Sequence, residues 1–429
     1  MNLITVSGIL VLLYLVLIWK SGKSYPILYL FFFTFFLQYI FSTYLIYNKY
    51  SELRSQMPIK QEVLFDYAIP ALGFLFLGVF LFNRDFDIRS AIKRIDSQKA
   101  GRLGYLLLAI SYGFDLAEML GLPLVRSIVS FTDYLKYLAV FCFLFANSPM
   151  LYVLSALVYL HLITVVLRSG VFIDLITWGI FLFFFLALRF RLSFVLRGTL
   201  FLMAIPILIL IQSVKDEYRK VTWMNKREGG LGLFTELARK NNEQKSDEPF
   251  EESEGVIRTI GRLSQGWHLG LTLKRVPLKE PFSNGREMLS DIGSSIIPRF
   301  FFPEKKIVHT KEKFFKYTGH KLRSATSMTI GILGDFYINF GRNGSFFLLF
   351  VFGALISKGV SFFYRTFVLN DPLNIVWLPF LLSYLIRADN DFYIVFNCVL
   401  KGFIIFLAVN YIKLQFLEPR SMDRVIKPV

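Results

Sequence analysis

Lys215, Arg219 and Trp223, in the stretch SVKDEYRKVTW, are spaced i, i+4, i+8. On a helix this spacing puts all three on one face. Two cations and a ring so placed suit a phosphate or a sugar at a membrane surface, and they equally suit plain interfacial anchoring. Arg168, in LRSG, and Arg387, in RADND, each sit in a short turn between apolar runs. A guanidinium binds phosphate oxygens bidentately and stays protonated. Two of them facing one cavity would hold a pyrophosphate, although an arginine at the end of a span is also a common snorkelling anchor. The histidines are His161, His268, His309 and His320. His161 falls inside an apolar run, where a buried, hydrogen-bonded role fits. His268 and His320 lie in a basic segment; either can act as a general base, since imidazole titrates near working pH, or be structural.

Other chemistries lack their residues. HExxH, CxxC, GxxxxGK[ST] and GxSxG are absent, which disfavours zinc, nucleotide and serine-hydrolase chemistry. No DxD-like pair opens the chain on the outer side, so a divalent metal bound by carboxylates has little support, and neither a metal nor a cofactor is expected. Cys142 and Cys398 both sit in apolar runs and form no disulfide framework.

The elements that must position these residues are membrane helices. The chain has 429 residues, 55% hydrophobic and 17% aromatic, with a mean hydropathy of +0.52, which no ordinary soluble domain shows. A span needs roughly 20 mostly apolar residues. Such runs occupy residues 3–19, 27–47, 64–82, 103–120, 135–145, 150–167, 171–188, 196–214, 345–364, 373–386 and 392–412. The expectation is an all-α polytopic membrane protein with about eleven transmembrane helices and one large loop between the eighth and ninth. The first run has no basic residue before it and is followed by Lys20, so it reads as a retained anchor, not a cleaved signal peptide.

The loop 84–102 carries Arg84, Arg89, Lys93, Arg94, Lys99 and Arg102 and should be cytoplasmic by the positive-inside rule. Counting spans then puts the N-terminus outside and the C-terminus inside. Arg168, the insert 215–327 and Arg387 fall together on the outer face. Three parts follow: a bundle over 1–214, the loop region 215–327, and a C-terminal part 328–429. Within the loop, 241–254 holds six acids and one lysine, whereas 256–327 holds 14 Lys/Arg against five Asp/Glu with aromatic residues interleaved. The first reads as a flexible link; the second suits the membrane interface or a cap over a cavity. The net charge of +17 fits anionic lipid or phosphate; no soluble domain exists to hold nucleic acid.

Residues 324–344, SATSMTIGILGDFYINFGRNG, close the insert and lead into an apolar run. Four glycines with Asp335, Asn339 and Arg342 predict packing against protein near the membrane surface, as a re-entrant turn whose polar groups find partners.

Three segments carry a family resemblance: LRSG at 167–170, IIPRFFFPEKK at 296–306 and ILGDFYINFGRNG at 332–344. Together with the span layout and the long outer loop they resemble the bacterial O-antigen or oligosaccharide repeat-unit polymerases (Wzy-type), within the polymerase and ligase group with GT-C-like membrane folds. Asp335 stands where that pattern more often has Glu. The resemblance implies polymerisation of polyprenyl-pyrophosphate-linked glycans on the periplasmic face of the bacterial inner membrane, with a flippase and a chain-length regulator as possible partners beside membrane lipid. In that reaction a sugar hydroxyl displaces polyprenyl pyrophosphate, and cations stabilise the leaving group. Arg168, Lys215, Arg219 and Arg387 are assigned that role, supported by Arg262 and Arg299. His320, and after it His268, are assigned as base, and Asp335, Tyr337 and Asn339 as groups that orient sugars or the base. Glycan ligation to another acceptor, or flipping and export without bond chemistry, are the alternatives.

Overall fold

In lipid every backbone polar group must be bonded within its own segment or by neighbouring protein, and the Phe-rich runs accordingly wind into helices. The structure, a computed structural model, describes residues 2–84, 86, 88–121, 131–224, 228–243, 254–296, 310–322 and 328–416. Every regular element among them is helical. Eight helices among the described residues are long and apolar enough to cross a membrane: Leu3–Ser21, Ile27–Asn48, Gln61–Phe82, Pro149–Ser169, Phe172–Arg189, Phe194–Met224, Ile332–Val368 and Phe392–Gln415. The chain is a polytopic, all-helical membrane protein.

The other three expected runs differ in kind. Ser97–Met119 is helical but carries Lys99, Arg102, Asp115 and Glu118. Tyr134–Phe145 has 12 residues, about 18 Å of helix, too short for a hydrocarbon core of about 30 Å. The run 373–386 becomes a 3-10 turn, Pro372–Val376, a short helix, Trp377–Leu382, and a closing turn. Every residue of these last two helices except Tyr134 is buried among the long ones.

Glycines set the closest crossing. A Cβ on Gly78 would stand 2.1 Å from the Phe350 carbonyl oxygen, and one on Gly353 would stand 2.3 Å from that of Leu75. The Gln61–Phe82 and Ile332–Phe363 helices therefore meet backbone to backbone, the usual device where apolar burial cannot drive association. Tyr67, on the first, donates its hydroxyl to the Leu333 carbonyl at 2.9 Å on the second.

The insert is docked on this bundle through Glu254–Leu263, Gly266–Arg275, Arg286–Ile296 and Thr310–Thr318. A π-helical turn, Leu37–Phe41, interrupts the second span. The Gln38 carbonyl in it accepts the Gln265 backbone N–H at 3.0 Å, and Thr43 Oγ1 meets Ser264 Oγ at 2.8 Å. Of the acidic link, residues 241–243 complete the Leu231–Glu243 helix and Glu254 opens the next; 244–253 lie outside the described residues.

Candidate functional site

The segment expected to be a re-entrant turn is instead a helix from Ile332, broken at Gly341, whose φ of 66° and ψ of −172° only glycine adopts readily. The break withholds the amides that would bond the preceding carbonyls. Ser283 N donates to the Ile338 carbonyl at 2.9 Å and Gly285 N to that of Asn339 at 3.1 Å, so the insert supplies the missing donors. Asn339 Oδ1 accepts from Ser283 Oγ at 2.6 Å and from the Met288 amide at 3.2 Å. Tyr337 donates its hydroxyl to the Val276 carbonyl at 3.2 Å.

Asp335 belongs to a buried charge cluster. Lys313 Nζ lies 2.9 Å from Asp291, 2.9 Å from Asp335 and 3.8 Å from Asp391. The side chains come from the Thr310–Thr318 and Arg286–Ile296 helices of the insert, the broken span and the RADND turn. All four residues are buried. Backbone amides help: Phe392 N donates to Asp335 at 3.0 Å and Ile394 N to Asp391 at 3.2 Å. Burial, foremost, pushes the Asp291 carboxyl up to about 6; Lys313 pulls it down while Asp335 and Asp391 add to the rise. Burial opposes the Lys313 charge, but the three carboxylates outweigh it and hold the ammonium well above its ordinary value. The cluster therefore ties the insert to two spans and the RADND turn.

Asp335 and Asn339, expected to orient sugars, have their polar atoms bonded to protein groups and no exposed surface. These bonds hold the insert against the bundle. Tyr337 is half-buried and bonded likewise.

The cations gather elsewhere. Arg219, Arg262 and Arg387 act electrostatically on Lys215, and so does the carboxylate of Asp216. Arg219 Nε donates to the Gly170 carbonyl at 2.9 Å and Trp223 Nε1 to that of Ser169 at 2.9 Å. Arg219 and Trp223 thus cap the C-terminus of the Pro149–Ser169 helix, which ends in left-handed Gly170. Arg262 pairs with Asp216 and donates to Gln212 Oε1 at 2.7 Å. Arg387 reaches Asp389 at 3.3 Å. Lys215 is half-buried and makes no hydrogen bond or ion pair among the described residues. Arg168 is exposed and likewise unpaired there; its turn lies against Arg219 and Trp223 through Ser169 and Gly170. Arg299 lies outside the described residues, as do 297–306 of the IIPRFFFPEKK segment.

His268 and His320 stand edge-on to the Trp267 ring, each with centroids 5.2 Å from it. Burial, foremost, lowers His268 to about 4; Asp389 opposes this and His320 adds to it. Its Nδ1 is enclosed with no hydrogen-bond partner among the described residues. His320 is exposed just beyond the Thr310–Thr318 helix, its amide held by Thr318 Oγ1 at 3.1 Å. Asp389, which holds Arg387, also acts on His268.

Residues 74–417 match a family described as a domain of unknown function, DUF8712. The chain belongs to that family. No curated protein and no solved structure matches the chain.

Sequence reading missed Lys313, Asp291 and Asp389. Lys313 is one lysine in KEKFFK, and only the third dimension separates the buried one from its exposed neighbours. The carboxylate in RADND was visible, but its pairing with Arg387 follows from the turn.

Proposed function

We propose that the protein polymerises polyprenyl-pyrophosphate-linked oligosaccharide repeat units on the outer face of the bacterial inner membrane, with the N-terminus and insert periplasmic and the C-terminus cytoplasmic. A hydroxyl oxygen of one unit attacks the anomeric carbon of the other, and the anomeric C–O bond to pyrophosphate breaks. Polyprenyl pyrophosphate leaves with the bonding electrons, and the hydroxyl proton passes to a base.

The observation that carries this reading is Lys215: a half-buried ammonium that makes no hydrogen bond or ion pair among the described residues and feels the charges of Arg219, Arg262 and Arg387 against the one carboxylate of Asp216. Clustered cations cost energy unless an anion joins them, and a pyrophosphate leaving group is such an anion. Arg387 contributes by exchanging part of its Asp389 contact for phosphate oxygens, and Arg168 lends charge from the adjoining turn. His320 fits the base better than His268, because burial penalises the protonated imidazole that proton transfer would leave on His268.

Reconstitution with a lipid-linked repeat unit tests the proposal. Lengthening products are expected, with Lys215→Ala lowering turnover about 100-fold at unchanged thermal stability, the scale of losing one preorganised charge at a transition state. One-step transfer to a different acceptor would replace polymerase with ligase. Movement of the lipid without bond formation would replace it with a flippase. Normal polymer from Lys215→Ala would remove the pyrophosphate assignment.

A further inference from the structure

A cleft of about 500 Å³ opens on the insert, lined by Glu280, Phe282, Asn284, Arg286, Glu287 and Lys316 among others. This volume lies within the ordinary range of small-ligand sites, about 300–1,000 Å³. The walls are preformed. The 283–285 turn is pinned by its two backbone bonds to the Ile338 and Asn339 carbonyls, and both Asn284 and Gly285 are left-handed. Phe282 is braced against Tyr337, with centroids 5.6 Å apart. On the opposite wall Glu287 accepts from Lys316 Nζ and from Tyr317 Oη, each at 2.8 Å.

The chemistry of the rim differs from that of the Lys215 group. Two carboxylates face two cations, so the cleft carries no excess charge and has no preference for an anion. Carboxylate acceptors, the Asn284 amide and the Arg286 guanidinium alternate around it. The Arg286 side chain is exposed and its guanidinium makes no hydrogen bond or ion pair among the described residues. Vicinal hydroxyls both donate and accept, and so match such a rim; the Phe282 ring offers an apolar face to sugar C–H groups. Lys316 and Tyr317 lie in the last turn of the helix that His320 follows.

We propose that this cleft binds the sugar portion of the substrate, a neutral, hydroxyl-rich oligosaccharide, separately from the phosphate group at Lys215. The identity of the sugar rests on the polymerase reading; its binding does not require turnover. The test uses full-length protein in detergent and the repeat-unit oligosaccharide released by mild acid from the producing cell's lipid-linked pool, which lacks pyrophosphate. Binding by saturation-transfer NMR and calorimetry is expected, weakened at least tenfold by Arg286→Ala and by the isosteric Glu280→Gln, and unchanged by Lys215→Ala or by added inorganic pyrophosphate. No binding, unchanged affinity in both cleft variants, or competition by pyrophosphate would overturn it. Should Arg286→Ala fail to fold, Glu280→Gln alone decides. Cleft-dependent binding with no polymer in reconstitution keeps the cleft and removes the polymerase; normal polymer with binding indifferent to the cleft variants does the reverse.

Discussion

Lys313 faces more negative charge than it can neutralise, since three buried carboxylates surround one ammonium. Removing the cation while leaving the carboxylates is the costly direction, about 3–5 kcal/mol for a buried pair. Lys313→Met should therefore lower the melting temperature strongly, and adding Asp291→Asn to it should recover part of the loss. The pH dependence has a definite sign. Asp291 titrates near 6 in the folded protein, above the roughly 3.9 of an unfolded aspartate. The folded state thus binds more protons between those values, and this contribution to stability is full below about 4 and lost as pH rises to about 6. His268, lowered to about 4 by burial, works oppositely: its contribution is present above about 6.5 and lost as pH falls towards 4. Comparing wild type with Asp291→Asn separates them. The variant should gain on wild type as pH goes from 4 to 6 and hold a constant offset above. A difference that does not change with pH would show that Asp291 keeps its ordinary acidity.

The broken span shows what can be read at the level of an element. Four glycines, Asp335 and Asn339 so close together announced a departure from a plain membrane helix and packing against protein, and both hold. Which glycine breaks the helix could not be read, because Gly331, Gly334, Gly341 and Gly344 look alike in sequence, whereas the backbone is left-handed only at Gly331 and Gly341 among these four. The helix start at Ile332 was missed because its polar residues argue for a loop until the insert is seen to satisfy them. Gly341→Ala should cost about 1–3 kcal/mol, the usual cost of forcing a side chain into this backbone region. Gly8→Ala, where a Cβ meets nothing within 4 Å, should be near neutral in the same melting assay. Equal effects would mean that the break tolerates a side chain.

Across the whole molecule, composition alone settled the all-helical membrane class, and the eleven apolar runs sit where helices form. Length and charge separate the eight that can cross from Ser97–Met119, Tyr134–Phe145 and the 372–382 stretch. The one-face expectation placed Arg168, the insert and Arg387 together. Arg219 and Trp223 bond the 168–170 turn; charge along a sequence could not have revealed that Arg219 and Arg262 are already bonded. Cysteine labelling checks the orientation against a quiet background, since Cys142 and Cys398 are both buried. Ser169→Cys and Asn284→Cys should react with an impermeant maleimide from outside intact cells, and Lys93→Cys only after permeabilisation. Labelling of Ser169→Cys and Asn284→Cys from opposite sides would break the proposed site in two.

The wide turn at Leu37–Phe41 has a consequence for how this chain tolerates change in length. Its surplus carbonyl, at Gln38, serves the Gln265 amide and the Ser42 hydroxyl. Deleting one residue there would let the span rewind as an ordinary helix and rotate everything beyond it by about 100°, carrying Thr43 away from Ser264. A single-residue deletion in that apolar stretch, harmless by hydropathy, would then uncouple the insert from its seat.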